Sequence, residues 1–121
     1  MIGIGVDLVE VARMRTALAR TPTLAGRLFT EAERSYAEQA KDPAPRYAVR
    51  FAVKEAVMKA LGVGLGAFDW HDVEVVRADS GAPSLVVTGR AAALAAEAGV
   101  QEWKITLSHT DDLAEAVVVA L

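Results

Sequence analysis

The chain contains no cysteine, which excludes a disulfide framework, a thiolate nucleophile and a cysteine-ligated zinc site. Aromatic residues are scarce, at 6% of 121 positions, and none are interleaved with the basic residues in the way single-stranded nucleic-acid surfaces require. No apolar run approaches the roughly 20 residues of a membrane span, so no membrane segment is expected. The start, Met1-Ile2-Gly3-Ile4-Gly5-Val6-Asp7, has no basic leader and meets an acid at once, so no signal peptide is expected either. A Gly-x-Ser-x-Gly elbow is missing, as are internal repeats, linkers and low-complexity stretches. These absences leave a cytoplasmic protein with one domain, 1–121, large enough for a core but not for two.

What is present is an aliphatic- and alanine-rich chain of net charge −3 with its charges unevenly spread. Residues 1–60 carry ten Lys/Arg against seven Asp/Glu, and residues 61–121 carry three against nine. Between Val11 and Thr30 stand Arg13, Arg15, Arg20 and Arg27 with no acid among them. A solvated basic helix face accounts for this run, as does a docking patch for a small acidic protein; nucleic acid fits poorly with an acidic chain.

Ile2 to Leu8 alternates, with Ile2, Ile4, Val6 and Leu8 facing one way and Gly3, Gly5 and Asp7 the other. Two glycines on one strand face leave room for another backbone or a ligand. Glu10 to Arg20 reads as a helix with Val11, Met14 and Leu18 inward, and Arg13, Thr16 and Arg20 outward, closed by Thr21-Pro22. Thr30-Glu31-Ala32-Glu33 is a capping box opening a helix to about Lys41, which Asp42-Pro43-Ala44-Pro45 breaks. A central helix follows over about Arg46–Leu61. The second half reads as a hairpin (Val73–Ala78 and Ser84–Thr88), an alanine-rich helix (Ala91–Ala98) and a closing strand pair (Trp103–Ser108 and Ala114–Leu121). The fold class is α+β, an antiparallel sheet with helices packed on one face.

The central helix is apolar almost all round. Val53, Ala56, Val57, Ala60 and Leu61 form one arc, and Glu55 and Lys59 stand on the other side with Phe51 and Met58 beside them. An i,i+4 Glu–Lys pair on a solvated face, stabilising the helix by about 0.2–0.5 kcal/mol, explains the two charges. A metal-ligating Glu55 beside a phosphate-binding Lys59 explains them equally, because ions seldom sit among large apolar side chains without partners. Gly62-Val63-Gly64-Leu65-Gly66 has the composition of a phosphate loop but follows a helix, whose C-terminal dipole repels anions.

Three items stand at element ends: Asp7 after the first strand, Glu55 on the central helix and Ser108-His109-Thr110 after a late strand. Helix capping by Asp7 and turn formation by Ser108 and Thr110 are the plain explanations. Taken together, two carboxylates without cysteine suit a hard cation such as Mg²⁺, completed by water and substrate phosphates, and one histidine is too few for a typical zinc site.

At this point the chain resembles a family. The strings GIGVDLVEVARM, LFTEAE, RFAVKEAVMKALGVGLGAF and ITLSHTDDLAEAVVV are similar to the successive motifs of holo-acyl-carrier-protein synthase, the short homotrimeric class of 4′-phosphopantetheinyl transferases. The resemblance implies Mg²⁺-dependent transfer of 4′-phosphopantetheine from coenzyme A to a serine of apo-acyl carrier protein, with release of 3′,5′-ADP. By it Asp7 and Glu55 are the Mg²⁺ carboxylates, Lys59 lies near the coenzyme A diphosphate, and the catalytic set is Asp7, Glu55, Lys59 and His109. Arg50, Gly62, Gly64, Gly66, Ser108, His109 and Thr110 match segments lining the coenzyme A site. Gly81 and Pro83 match a turn reaching the neighbouring subunit's ligand. The family usually has a basic residue between them, where this chain has Ala82, which puts a phosphate contact there in question. Arg13 and Arg20 match the basic helix that receives the acidic carrier. The serine's base stays open among a metal-activated water, Glu55 and a carboxylate near His109. From other classes, a non-catalytic carrier- or nucleotide-binding module and a Mg²⁺-dependent phosphohydrolase remain as alternatives.

Overall fold

The computed structural model describes residues 1–121. In chain order it comprises β1 (Gly3–Glu10), α1 (Val11–Arg20), α2 (Leu24–Leu28), α3 (Glu31–Glu38), α4 (Ala44–Leu61), a 3-10 turn (Trp70–Asp72), β2 (Val73–Arg77), β3 (Pro83–Val87), α5 (Gly89–Ala98), β4 (Trp103–His109) and β5 (Leu113–Ala120). All strand pairing is antiparallel and falls into two sheets: a three-stranded one in the order β1-β5-β4 and the β2-β3 hairpin. No helix is long and apolar enough to cross a membrane.

The glycine face of β1 explains how the layers meet. A Cβ at Gly3 would lie 1.9 Å from the Ala60 carbonyl oxygen, and one at Gly5 1.9 Å from that of Ala56. Only glycine lets α4 lie directly on the strand, and α4 answers with alanines at both crossings. Ala116, Val118 and Ala120 of β5 complete this contact, and all are buried. The expected alternation is therefore observed. The opposite face of β1 carries Ile2, Ile4, Val6 and Leu8, which in the single chain are 48–60% exposed.

Helix ends follow local chemistry. At the start of α3, Thr30 Oγ1 accepts from the Glu33 amide (3.2 Å) and Glu33 Oε1 accepts from the Thr30 amide (3.0 Å). Helix α4 begins two residues before the expected position and includes Pro45, because a proline in the first turn removes only an amide that has no helical partner. Gly62, in the left-handed region (φ 68°), stops α4 while the Val63 amide donates to the Met58 carbonyl at 2.9 Å. Helix α5 starts earlier than expected because Asp72 caps it from across the fold, its Oδ2 accepting from the Ala91 amide at 3.2 Å. Helix α2 and the 3-10 turn were not anticipated; His71 Nε2 bonds the Gly26 carbonyl oxygen at 2.7 Å and ties the two together.

One charged pair lies inside the core. Lys54 and Glu33 are buried, with their Nζ and Oε1 2.8 Å apart. Lys54 also donates to the Trp70 carbonyl (3.0 Å) and the Val73 carbonyl, and Glu33 Oε2 accepts from the Val75 amide (3.0 Å). Every N–H of the ammonium and both carboxylate oxygens are occupied, which offsets the cost of taking two charges out of water.

Candidate active site

β1 crosses the last two turns of α4 at Gly3 and Gly5, so Asp7, next on the same strand face, comes beside Glu55 and Lys59. Lys59 does not close the i,i+4 bridge on Glu55. Its Nζ turns to Asp7 Oδ1 at 3.0 Å and to the Val6 carbonyl at 2.9 Å. Asp7 likewise does not cap α1, whose N-cap residue Glu10 makes no side-chain bond. Burial raises Glu55 above the ordinary carboxylate range, the Asp7 charge adds to this, and Lys59 opposes it. Two carboxylates near enough for the Asp7 charge to act on Glu55, with the one cation bonded to Asp7 alone of the two, form an electrostatically incomplete site.

No third acid or imidazole joins them. Two hard oxygen ligands with the remaining positions left to water and substrate match Mg²⁺, so the donor set fits that ion. The resemblance suggested this pair, and the geometry brings it together.

Asp7 and Glu55 line a cavity of about 750 Å³ between β1, α1, α2 and α4. Arg13 and Arg27 stand on its wall; Arg20, on the same helix face as Arg13, does not. Phe51 and Trp70 form another part of the wall, stacked with centroids 5.2 Å apart and planes at 27°. Leu65 reaches the cavity from the glycine loop, whereas Gly62, Gly64 and Gly66 themselves stay off its wall.

A second cavity, about 380 Å³, collects a different set: Arg50, Gly81, Pro83 and His109, with Arg46, Arg77 and Tyr36. Three guanidinium groups surround the Tyr36 ring, Arg46 at 4.1 Å, Arg50 at 4.5 Å and Arg77 at 5.0 Å from its centroid. Arg46 donates to the Tyr36 carbonyl at 2.7 Å and Arg77 donates to its hydroxyl, so the ring orders the fan. None of the three has a carboxylate within salt-bridge distance. Burial lowers Arg50 and the charges of Arg46 and Arg77 add to the effect, while its buried Nε has no hydrogen-bond partner. Such a cluster is built for an anion.

Within one chain the two groups stand apart. Asp7 and His109 lie on the two edge strands of the sheet, with β5 between them. Arg50 and Glu55, five residues apart on α4, point about 140° away from each other. Ser108 faces the exposed sheet surface together with Glu115 and Leu8, the opposite way from His109. Thr110 Oγ1 accepts from the Asp112 and Leu113 amides (3.2 and 3.1 Å), so its hydroxyl oxygen shapes the β4–β5 turn. Ala82 is exposed between Gly81 and Pro83 and brings no charge.

Sequence reasoning passed over Lys54, Glu33, Trp70, Tyr36, Arg46 and Arg77. Two signals were there to read. Lys54 falls inside the apolar arc of α4, where an ammonium needs a buried partner. Arg46 and Arg50 are a like-charged i,i+4 pair, which is unfavourable unless something between them compensates.

The family model for the 4′-phosphopantetheinyl transferase superfamily matches residues 3–118. Holo-[acyl-carrier-protein] synthase of Streptomyces avermitilis is 51% identical over 120 residues, covering 99% of this chain and 97% of that protein. The crystal structure of holo-[acyl-carrier-protein] synthase from Neisseria meningitidis superposes with a TM-score of 0.90 at 30% identity, covering 100% of this chain and 98% of the other. The Helicobacter pylori synthase in complex with coenzyme A superposes with a TM-score of 0.86 at 28% identity, covering 98% and 99%. Near-complete coverage in both directions, joined to the paired carboxylates of β1 and α4, assigns the chain to the 4′-phosphopantetheinyl transferase superfamily, among its holo-[acyl-carrier-protein] synthases.

Proposed function

We propose that this chain moves the 4′-phosphopantetheine group of coenzyme A onto a serine hydroxyl of an apo-acyl carrier protein, with Mg²⁺ held by Asp7 and Glu55. The observation that carries the reading is the convergence of Asp7, Glu55 and Lys59 beside the large cavity. In the balanced reaction the serine Oγ forms a bond to the phosphorus that bears pantetheine. The bond from that phosphorus to the 3′,5′-ADP oxygen breaks, and the serine proton is lost to a base. Bound Mg²⁺ would supply charge neutralisation on the diphosphate. Lys59, half-exposed and with one N–H not used by Val6 or Asp7, would add a hydrogen bond to the same phosphates. Arg13 and Arg20 would receive the acidic carrier, Arg13 at the cavity mouth and Arg20 further along α1.

Coenzyme A carries a second charged group at its nucleotide end. The Arg46–Arg50–Arg77 fan, with His109 and the Gly81–Pro83 turn, is the other cationic site available to it. Because this site lies across the sheet from Glu55 in one chain, both ends of one coenzyme A are best served by two chains side by side. The exposed apolar face of β1, continued by Val117 and Val119 of β5, offers a surface for that association, and the family resemblance sets the number at three. A chain with no helix able to cross a membrane, using coenzyme A and a carrier protein, would work in the cytoplasm.

The test is to incubate the protein with Mg²⁺, coenzyme A and an apo-carrier and to weigh the carrier. A gain of one phosphopantetheine group, lost when the metal is chelated, is the expected result. An unchanged carrier with coenzyme A bound identifies a binding module instead, and phosphate release without carrier gain identifies a hydrolase.

A further inference from the structure

We propose that Lys54 and Glu33 are positioning residues for the active site: their buried bridge fixes the Trp70 backbone, and Trp70 with Phe51 sets the cavity wall beside Glu55. Lys54 precedes Glu55 in sequence but points the other way, into the core. Its ammonium holds the Trp70 carbonyl at 3.0 Å, and the Trp70 ring stacks on Phe51, one helical turn before Glu55. Both rings line the cavity that Asp7 and Glu55 share. Glu33 secures the other end by accepting from the Val75 amide in β2 and the Thr30 amide at the start of α3.

Stability alone does not call for this pair. Apolar residues of similar volume commonly replace a buried ion pair without loss. What an apolar pair cannot do is donate a hydrogen bond to the Trp70 carbonyl. The 3-10 turn that carries Trp70 has a capping box of its own, the His71 amide donating to Asp69 and the Asp69 amide to Asp72, and Asp72 accepts from the Thr88 and Ala91 amides while His71 reaches Gly26. None of these bonds engages the Trp70 carbonyl or reaches α4, so Lys54 is the turn's hydrogen-bonded link to the element that bears Glu55. The consequence for catalysis rests on the transferase reading above; the consequence for Trp70 does not.

The experiment uses a Trp103→Phe background, so that fluorescence reports Trp70 alone. Glu33→Gln and Lys54→Met are introduced together, which leaves neither charge stranded. We expect a folded protein whose melting temperature falls by a few degrees, because the Trp70 and Val73 carbonyls lose their donor, with about twofold greater acrylamide quenching of Trp70 and a loss of about tenfold in kcat/KM for the carrier. In a Trp70→Ala background the same double replacement should cost no further activity, because the pair acts through that ring. A folded double variant with parental quenching and kinetics overturns the proposal, as do losses that multiply in the Trp70→Ala background. If the double variant does not fold, Glu33→Asp keeps both charges and shortens the bridge by one methylene. Increased Trp70 quenching there supports the proposal, and parental quenching overturns it. A parent that transfers nothing defeats the functional reading, yet the quenching arms still decide whether Lys54 and Glu33 hold Trp70.

Discussion

At Glu55, burial and the neighbouring Asp7 charge act in the same direction, and both favour the protonated acid. In the metal-free protein the native state therefore binds this proton more tightly than the unfolded chain. The carboxylate opposes folding above its raised range, and that penalty disappears as pH falls towards the ordinary glutamate value of 4.5. Glu55→Gln should accordingly raise the metal-free melting temperature at neutral pH by a few degrees, with a smaller gain in acid. Calorimetric scans at several pH values check this. With Mg²⁺ and coenzyme A present the order should invert, because only the unaltered protein gains stability from the ion. Transfer activity of the variant should fall by about a hundredfold or more, since several kcal/mol of charge stabilisation leave with the ligand. Mg²⁺ affinity of the parent should weaken as pH drops through the raised Glu55 range. A variant that binds Mg²⁺ as tightly as the parent in titration calorimetry would remove Glu55 from the metal site.

Among elements, β1 and α4 carry the architecture, and their meeting at Gly3 and Gly5 was legible because alternation and small residues are local signals. Gly5→Ala should destabilise the protein by about 1–3 kcal/mol or more, read as a lowered denaturant midpoint, since a Cβ there meets backbone that cannot yield. The capping box of α3 was legible for the same reason: Thr30 and Glu33 are three residues apart. What escaped were partnerships across long separations. Glu33 meets Lys54 twenty-one positions away and Val75 forty-two away, and nothing near Glu33 distinguishes a cap from a cap that also neutralises a buried lysine. Helix α2 and the 3-10 turn are five and three residues long, too short to leave a periodic pattern, and His71 ties the one to the other at Gly26. Candidate site residues divided similarly. Asp7, Glu55 and Lys59 were visible as misplaced charges, whereas nothing local to Arg77, in strand β2, marks its approach to Tyr36 forty-one positions away. Its place in the fan yields a distinct prediction: Arg77→Ala should raise KM for coenzyme A about tenfold while leaving that for 3′-dephospho-coenzyme A nearly unchanged. Equal changes for both substrates would mean that the fan holds no terminal phosphate.

The molecule as a whole leaves an apolar sheet face uncovered, and the two parts of the proposed coenzyme A site lie on opposite edges of the sheet. Association would answer both. Light scattering at micromolar concentration should give about three chain masses. Val6→Glu, which puts a charge in the middle of the exposed stripe, should yield monomers that fold but transfer nothing; trimers that persist in this variant would place the interface elsewhere. The most direct measurement combines chemistry with assembly. Glu55→Gln chains and Arg50→Ala/Arg77→Ala chains are each inactive by expectation, the first lacking the metal carboxylate and the second the anion fan. The two are mixed, subunit exchange is verified, Mg²⁺, coenzyme A and apo-carrier are added, and the carrier is weighed. A carrier that gains one phosphopantetheine group from the mixture, and from neither variant alone, is the predicted outcome, because some boundaries then pair two intact halves. A carrier that stays unmodified after demonstrated exchange would contradict the account and place the whole site within a single chain.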